Sequence, residues 1–193
     1  MEALTIKEIK GYIPGLHIQL KDTSKEQIIY LATGYKTALL YKPGKGELLS
    51  DYVGGLTIHV DSGWNYPIDE IMPILYPIDI LIDPNYAEQD YTLIHEMVSI
   101  IYKRNVEINN YELAKADNNV SIEFEHQSGS KFKLHFFIDG SFSLEDEIHR
   151  ECYLGDVQPI YDFLYAHHID TRNLIGQGKA INVLSYVDNP YIS

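Results

Sequence analysis

The sequence predicts an α+β fold in which antiparallel sheet segments carry a few helices packed on one side. Three observations predict it. Short runs alternate apolar and polar residues with period two, at 16–20, 56–60 and 120–144. One stretch, 156–183, opens with apolar residues at three-and-four spacing, the pattern of a helix with one buried face. Proline, glycine and Asp-Gly punctuation separates these runs at short intervals. At 193 residues and 45% hydrophobic content, the chain can form one domain over 1–193, or two lobes, 1–82 and 83–193, meeting near Asp83.

Taken in order, Thr5-Ile6-Lys7-Glu8 has the residues of a capping box, and Gly11 is placed to close the short helix it starts. Residues 16–20 read as a strand and 22–26 as a polar turn. Residues 27–32 and 35–42 then read as a second and a third strand. Pro43-Gly44-Lys45-Gly46 is a strong break before the alternating run at 56–60. Pro67, Pro73 and Pro77 exclude a regular helix across 61–83, and one more strand is expected at 78–82. Asp83-Pro84 has the chemistry of an N-cap followed by a first-turn proline, so a long helix is expected to 104. It would bury Leu93, Ile94, Met97, Val98 and Ile101, with Lys103 and Arg104 at its negative end.

The meander at 120–144 specifies its own register. With Gln127-Ser128-Gly129 as a three-residue loop and Gly129 left-handed, Phe124 faces Phe132, Ile122 faces Leu134 and Val120 faces Phe136. Glu125 then meets Lys131 and Glu123 meets Lys133 on the other side. A slip of one residue would destroy both sets. Asp139-Gly140 is expected as a type I′ turn into Phe142 and Leu144.

In 156–183, Asp156 is the expected N-cap and Pro159 falls in the first turn, where its missing N–H removes no helical bond. Ile160, Phe163, Leu164 and His167 share the buried face. Gly176 and Gly178 suit a tight reversal before a short strand, or a segment packed across the core, at 180–184.

Residues His167-His168-Ile169-Asp170, Leu174-Ile175 and Gly178-Lys179-Ala180-Ile181 resemble the end of a group of small proteins encoded by phages, prophages and mobile elements of Bacteroidetes. Thr5-Ile6-Lys7-Glu8-Ile9, and Pro73-Ile74-Leu75-Tyr76-Pro77 with Ile78, Asp79 and Leu81, are similar to it as well. The resemblance implies no activity and no catalytic residue. It implies an accessory role in a mobile element.

Composition narrows the function classes. No apolar run approaches the ~18 residues that span a bilayer, so no membrane association is expected. Glu2, Lys7, Glu8 and Lys10 stand where a signal peptide would be apolar, and Cys152 is the single cysteine, so a cytoplasmic location is expected. The net charge is −13, and between Gly46 and Tyr102 there is no lysine or arginine. Direct nucleic-acid binding needs a basic footprint and is disfavoured.

Four constellations hold residue types that could do chemistry. His95-Glu96-Met97-Val98-Ser99 starts like a zinc-protease helix, but Ser99 stands where the second histidine must be, so a partly buried helical histidine is expected instead. His167, His168 and Asp170 are the candidate catalytic residues of a metal- or histidine-dependent hydrolase, completed by a distant group such as His149 or Glu151. The competing reading buries His167 and exposes His168, because neighbouring helical side chains diverge by about 100°. Cys152 with His149 has helical spacing for a thiolate–imidazole pair, yet lacks a third orienting group. Gly44-Lys45-Gly46 and Gly176-Gln177-Gly178 are too short for phosphate loops. No cofactor and no metal is expected.

The remaining candidate is a surface. Trp64, Tyr66, Tyr76, Tyr86 and Tyr91 lie in the acid-only span with Asp69, Glu70 and Asp90. Rings among carboxylates suit a basic protein partner, and a non-catalytic acidic binding protein is the leading expectation. Imitation of DNA charge against a host defence would be one form of it. A homo-oligomeric structural component is a further reading, since oligomeric state is not encoded here.

Overall fold

A computed structural model describes residues 4–21, 28–42, 51–86, 92–116, 119–148, 150–152 and 154–192, with 37–42 and 51–55 described by their backbone alone. The fold is α+β, and its contacts divide it into two units: Met1–Leu75 with Ile175–Ser193, and Tyr76–Leu174. The turn at 22–26, the break at 43–46 and residues Asp90, Tyr91 and His149 lie outside the described residues.

In the first unit, helix α1 (Ile6–Ile9) starts as expected: the Glu8 carboxylate reaches back to accept from the Thr5 amide at 2.6 Å and its hydroxyl at 2.8 Å. Gly11 does not stop the chain's winding; a 3-10 turn, Lys10–Tyr12, carries it on and buries Tyr12. The sheet is built from β1 (His17–Leu20), β2 (Ile29–Lys42), β3 (Asp51–Val60), β4 (Asn65–Pro67), β5 (Ile71–Leu75) and β10 (Ile181–Asn182). Their spatial order is β10-β5-β1-β2-β3-β4. All pair antiparallel except β10, which runs parallel to β5 with Ile181 opposite Ile74.

The expected second and third strands are one strand. β2 runs through, and a register shift between Ala32 and Gly34 absorbs the break in alternation. Ile9, Leu16, Ile18, Ile58, Ile71, Ile74 and Leu75 are wholly buried and form this unit's core.

In the second unit, residues 78–82 form no strand. Ile78–Ile82 is a 3-10 turn whose groups bond locally, Ile80 N–H to the Pro77 carbonyl and Asp83 N–H to that of Ile80, both at 3.2 Å. The long helix expected from Asp83 is also corrected. The Asp83 carboxylate accepts from the Asn85 amide at 2.9 Å and side chain at 2.8 Å, which favours a short turn, Pro84–Tyr86, over a helix. Helix α2 (Leu93–Tyr102) starts instead at Thr92. It buries Leu93, Ile94, Met97 and Val98 and closes at Lys103, whose φ of 55° is left-handed, as a helix end favours.

The second sheet is a meander of β6 (Ile108–Lys115), β7 (Asn119–His126), β8 (Lys131–Phe137) and β9 (Phe142–Asp146), in chain order. Every β7–β8 pair expected from the sequence is present, from Val120 with Phe136 to Glu125 with Lys131. Gly129 is left-handed at φ 84°. The second turn is not type I′: Gly140 alone has positive φ, and the Phe137 and Ser141 backbones close a three-residue loop like the first. Helix α3 (Gln158–Ala166) packs beside α2 and buries Ile160, Phe163 and Leu164.

Candidate functional site

The histidine–aspartate segment hangs from the end of α3. The cap of α3 is Val157 and not Asp156, whose carboxylate one residue earlier accepts from the Gln158 amide at 3.1 Å. At the other end His167 sits half-buried, its Nδ1–H donating to the Phe163 carbonyl at 2.9 Å and its ring 4.4 Å from that of Phe163. His168 takes a left-handed backbone, φ 52°, and its carbonyl accepts from Tyr76 N–H at 2.9 Å. Asp170 N–H returns the bond to the Tyr76 carbonyl at 2.8 Å.

The Asp170 side chain is 5% exposed, and its Oδ1 accepts from the amides of Leu174 at 2.8 Å and Arg172 at 3.2 Å. That carboxylate shapes the turn that follows it. A buried carboxylate bound to the backbone amides that follow it holds a loop, which is a structural task. Among the described residues no three His, Cys, Asp or Glu side chains gather as a metal-holding group.

The other chemical candidates are engaged too. His95 Nδ1 accepts from the Thr92 amide at 3.2 Å and meets its hydroxyl at 2.9 Å, while Nε2 faces the Ile108 carbonyl at 3.3 Å. That pattern needs a neutral ring with its proton on Nε2, and it locks α2 to the start of β6. Burial, with the nearby Asp146 charge, pushes the Cys152 thiol up, away from the reactive thiolate.

The expected binding residues fall in both units. Trp64 is 67% exposed, on the turn between β3 and β4, and Asp61, Asp69 and Glu70, which flank it in the chain, are exposed. Tyr66 is half-buried with its ring 5.3 Å from that of Tyr30, and the hydrogen bond between the two hydroxyls, with burial, pushes its pKa up to about 12. Tyr76 and Tyr86 belong to the second unit. Tyr76 is only 7% exposed and meets Tyr86 edge to face at 5.4 Å, and burial raises the Tyr86 hydroxyl.

Folding also brings cations to the acid-only span, which its sequence does not foretell. Lys21 Nζ donates to the Asp69 carbonyl at 2.7 Å, and Lys115 pairs with Asp79 at 2.6 Å. No local pattern announces either partner, because each lies tens of residues away in the chain.

No family model, no curated protein and no solved structure matches this chain. Among the described residues no helix is long and apolar enough to cross a membrane.

Proposed function

We propose that this protein is a non-catalytic binding protein that takes a basic protein partner on the acidic, aromatic surface around Trp64. The observation that supports it best is the 67% exposure of Trp64 on a stretch of chain whose Asp61, Asp69 and Glu70 are exposed too. Leaving a large ring in water forgoes about 2 kcal/mol of burial, and aromatic anchors of this kind recur at the centres of interfaces. Carboxylates around an anchor speed encounter with a cationic surface and reject anionic ones. Tyr66, half-buried beside Tyr30, is the second ring of that stretch. The resemblance to phage and mobile-element proteins suits an accessory role in the cytoplasm of a host, where a DNA-like charge would engage a nucleic-acid-binding protein.

Affinity capture from a bacterial lysate tests this. Wild type should retain a basic protein at low salt and release it near 0.5 M, where charges are screened within about 4 Å. Trp64→Ala should weaken retention, and Asp69→Lys with Glu70→Lys should abolish it. Retention of nothing at low salt, or equal retention by the charge-reversed variant, would overturn the proposal.

A further inference from the structure

The chain beyond β10 lies across the first unit's sheet as a strap, residues 184–192, and is attached to it in an unusual way. In the β1–β5 ladder Ile18 faces Pro73 and Gln19 faces Met72, so the next step would join His17 to Ile74. Tyr191 occupies that step. Its hydroxyl accepts from His17 N–H at 3.1 Å and donates to the Ile74 carbonyl at 2.7 Å, and its ring meets the His17 ring edge to face at 4.5 Å. Five residues earlier the Tyr186 hydroxyl donates to Gln19 Oε1, and Gln19 is itself 9% exposed.

Beyond the half-buried Tyr186, Pro190 and Tyr191, the strap's large apolar side chains stay in water. Leu184 is 45% exposed, Ile192 71% and Val187 fully so. The amides of Leu184, Tyr186, Tyr191 and Ile192 bond within the strap or to Asn182 and Val183 beside it, so these four amides keep their bonds when the strap lifts. A segment with exposed side chains and local backbone bonds opens at far lower free energy than the core beneath it. Gln19, Ile29 and Ile181 line one side of a groove of about 400 Å³, and Tyr186, Val187 and Asp188 of the strap line the other.

We propose that residues 184–192 are a hydroxyl-latched strap that lifts off the β5–β1 seam as a unit while the sheet stays formed. Tyr191 is the latch and Tyr186 the secondary catch. Opening widens the groove from its strap side and uncovers the His17 N–H and the Ile74 carbonyl, two ladder groups otherwise closed by a side chain.

Hydrogen exchange on the full chain, read residue by residue, tests it. In wild type the strap amides and that of His17 should exchange well ahead of Ile58 in β3 and Leu134 in β8. Tyr191→Phe should speed exchange at the strap and His17 by about tenfold, the effect of about one net hydrogen bond, and leave Ile58 and Leu134 unchanged. Tyr186→Phe, which removes the Gln19 bond alone, should speed the strap less and spare His17. Strap amides that exchange in step with Ile58 in wild type would overturn the proposal whatever the variants do. So would a Tyr191→Phe protein with unaltered strap exchange.

Discussion

The two sheets solve the same problem by opposite routes. In the four-stranded meander each strand pairs with its neighbour in the chain, and two three-residue loops make the reversals on either side of β8. In the six-stranded sheet β1 lies between β2 and β5, and β5 lies between β1 and a two-residue strand from near the far end of the chain. Local pairing lets cross-strand neighbours and turn residues hold the register. Non-local pairing closes long loops before any contact rewards it, so it depends on side chains that tie distant segments together. The first unit has such ties in Lys179 with Glu8 and in Tyr191 with His17 and Ile74.

The largest effect should therefore come from cutting a distant tie. Lys179 Nζ lies 2.9 Å from Glu8 Oε1, with side-chain exposures of 9% and 16%. Burial works against the Glu8 charge, but hydrogen bonds from Lys179 and Thr5 outweigh it and hold the carboxyl below its ordinary value of 4.5. Lys179→Ala should cost about 2–3 kcal/mol, the low side for a broken buried pair because Thr5 still bonds the carboxylate. A carboxyl depressed in the folded state stabilises above its unfolded pKa and loses that contribution as pH falls through the folded value. The gap between wild type and variant in urea unfolding should thus be full at pH 7 and shrink below about pH 4. An equal gap at pH 7 and pH 3 would remove the ion pair from the account.

The same contrast decides what could be read in advance. The β7–β8 register was legible because Phe124 and Phe132, and Glu123 and Lys133, lie within a few residues of their loop. The capping box at Thr5 and Glu8 was legible for the same reason. Nothing near Ile181 says that it will lie parallel to Ile74, and nothing near Asp79 points to Lys115. One local reading, the long helix from Asp83, failed to competing local bonds. Asp83 spent its carboxylate on Asn85, and Thr92 with His95 started the helix instead. At the candidate site, adjacency put His167, His168 and Asp170 in view, but whether Asp170 would face a ligand or the amides of Arg172 and Leu174 depends on a turn that spacing does not specify.

A smaller effect separates the two loops of the meander. Gly129 and Gly140 have nearly the same left-handed φ, 84° and 85°. A Cβ at Gly129 meets nothing within 4 Å, whereas at Gly140 it falls 2.7 Å from Arg172 Cζ and 3.0 Å from its Cγ. Arg172 lies there because its Nη1 donates to the Asp139 carbonyl, and Tyr161 adds a bond to the Gly140 carbonyl at 3.0 Å. Gly129→Ala should cost about 1 kcal/mol, the backbone penalty alone. Gly140→Ala should cost about 2 kcal/mol, since a side chain must also give way. Denaturation of both variants, with Arg172→Ala added to each, measures the difference. If the loops respond alike, the second is not clamped.

The smallest effect should come from the charges on the meander. Lys133 lies 2.7 Å from Glu123 Oε1, but the two side chains are 31% and 57% exposed. Exposed pairs contribute little because water and salt screen them and two long side chains must be ordered, so Lys133→Ala should cost no more than about 0.5 kcal/mol. The hydrogen bond and charge of Lys133 hold the Glu123 carboxyl below its ordinary range, so that group should titrate at higher pH in the variant, which NMR can follow. Register should survive, because Ile122 with Leu134 and Phe124 with Phe132 still meet on the buried face. Opposite charges across the strands then discourage wrong pairings more than they stabilise the right one. A cost above about 1 kcal/mol, or changed amide contacts between β7 and β8, would mean that the charges carry the register and that the meander too relies on side-chain ties.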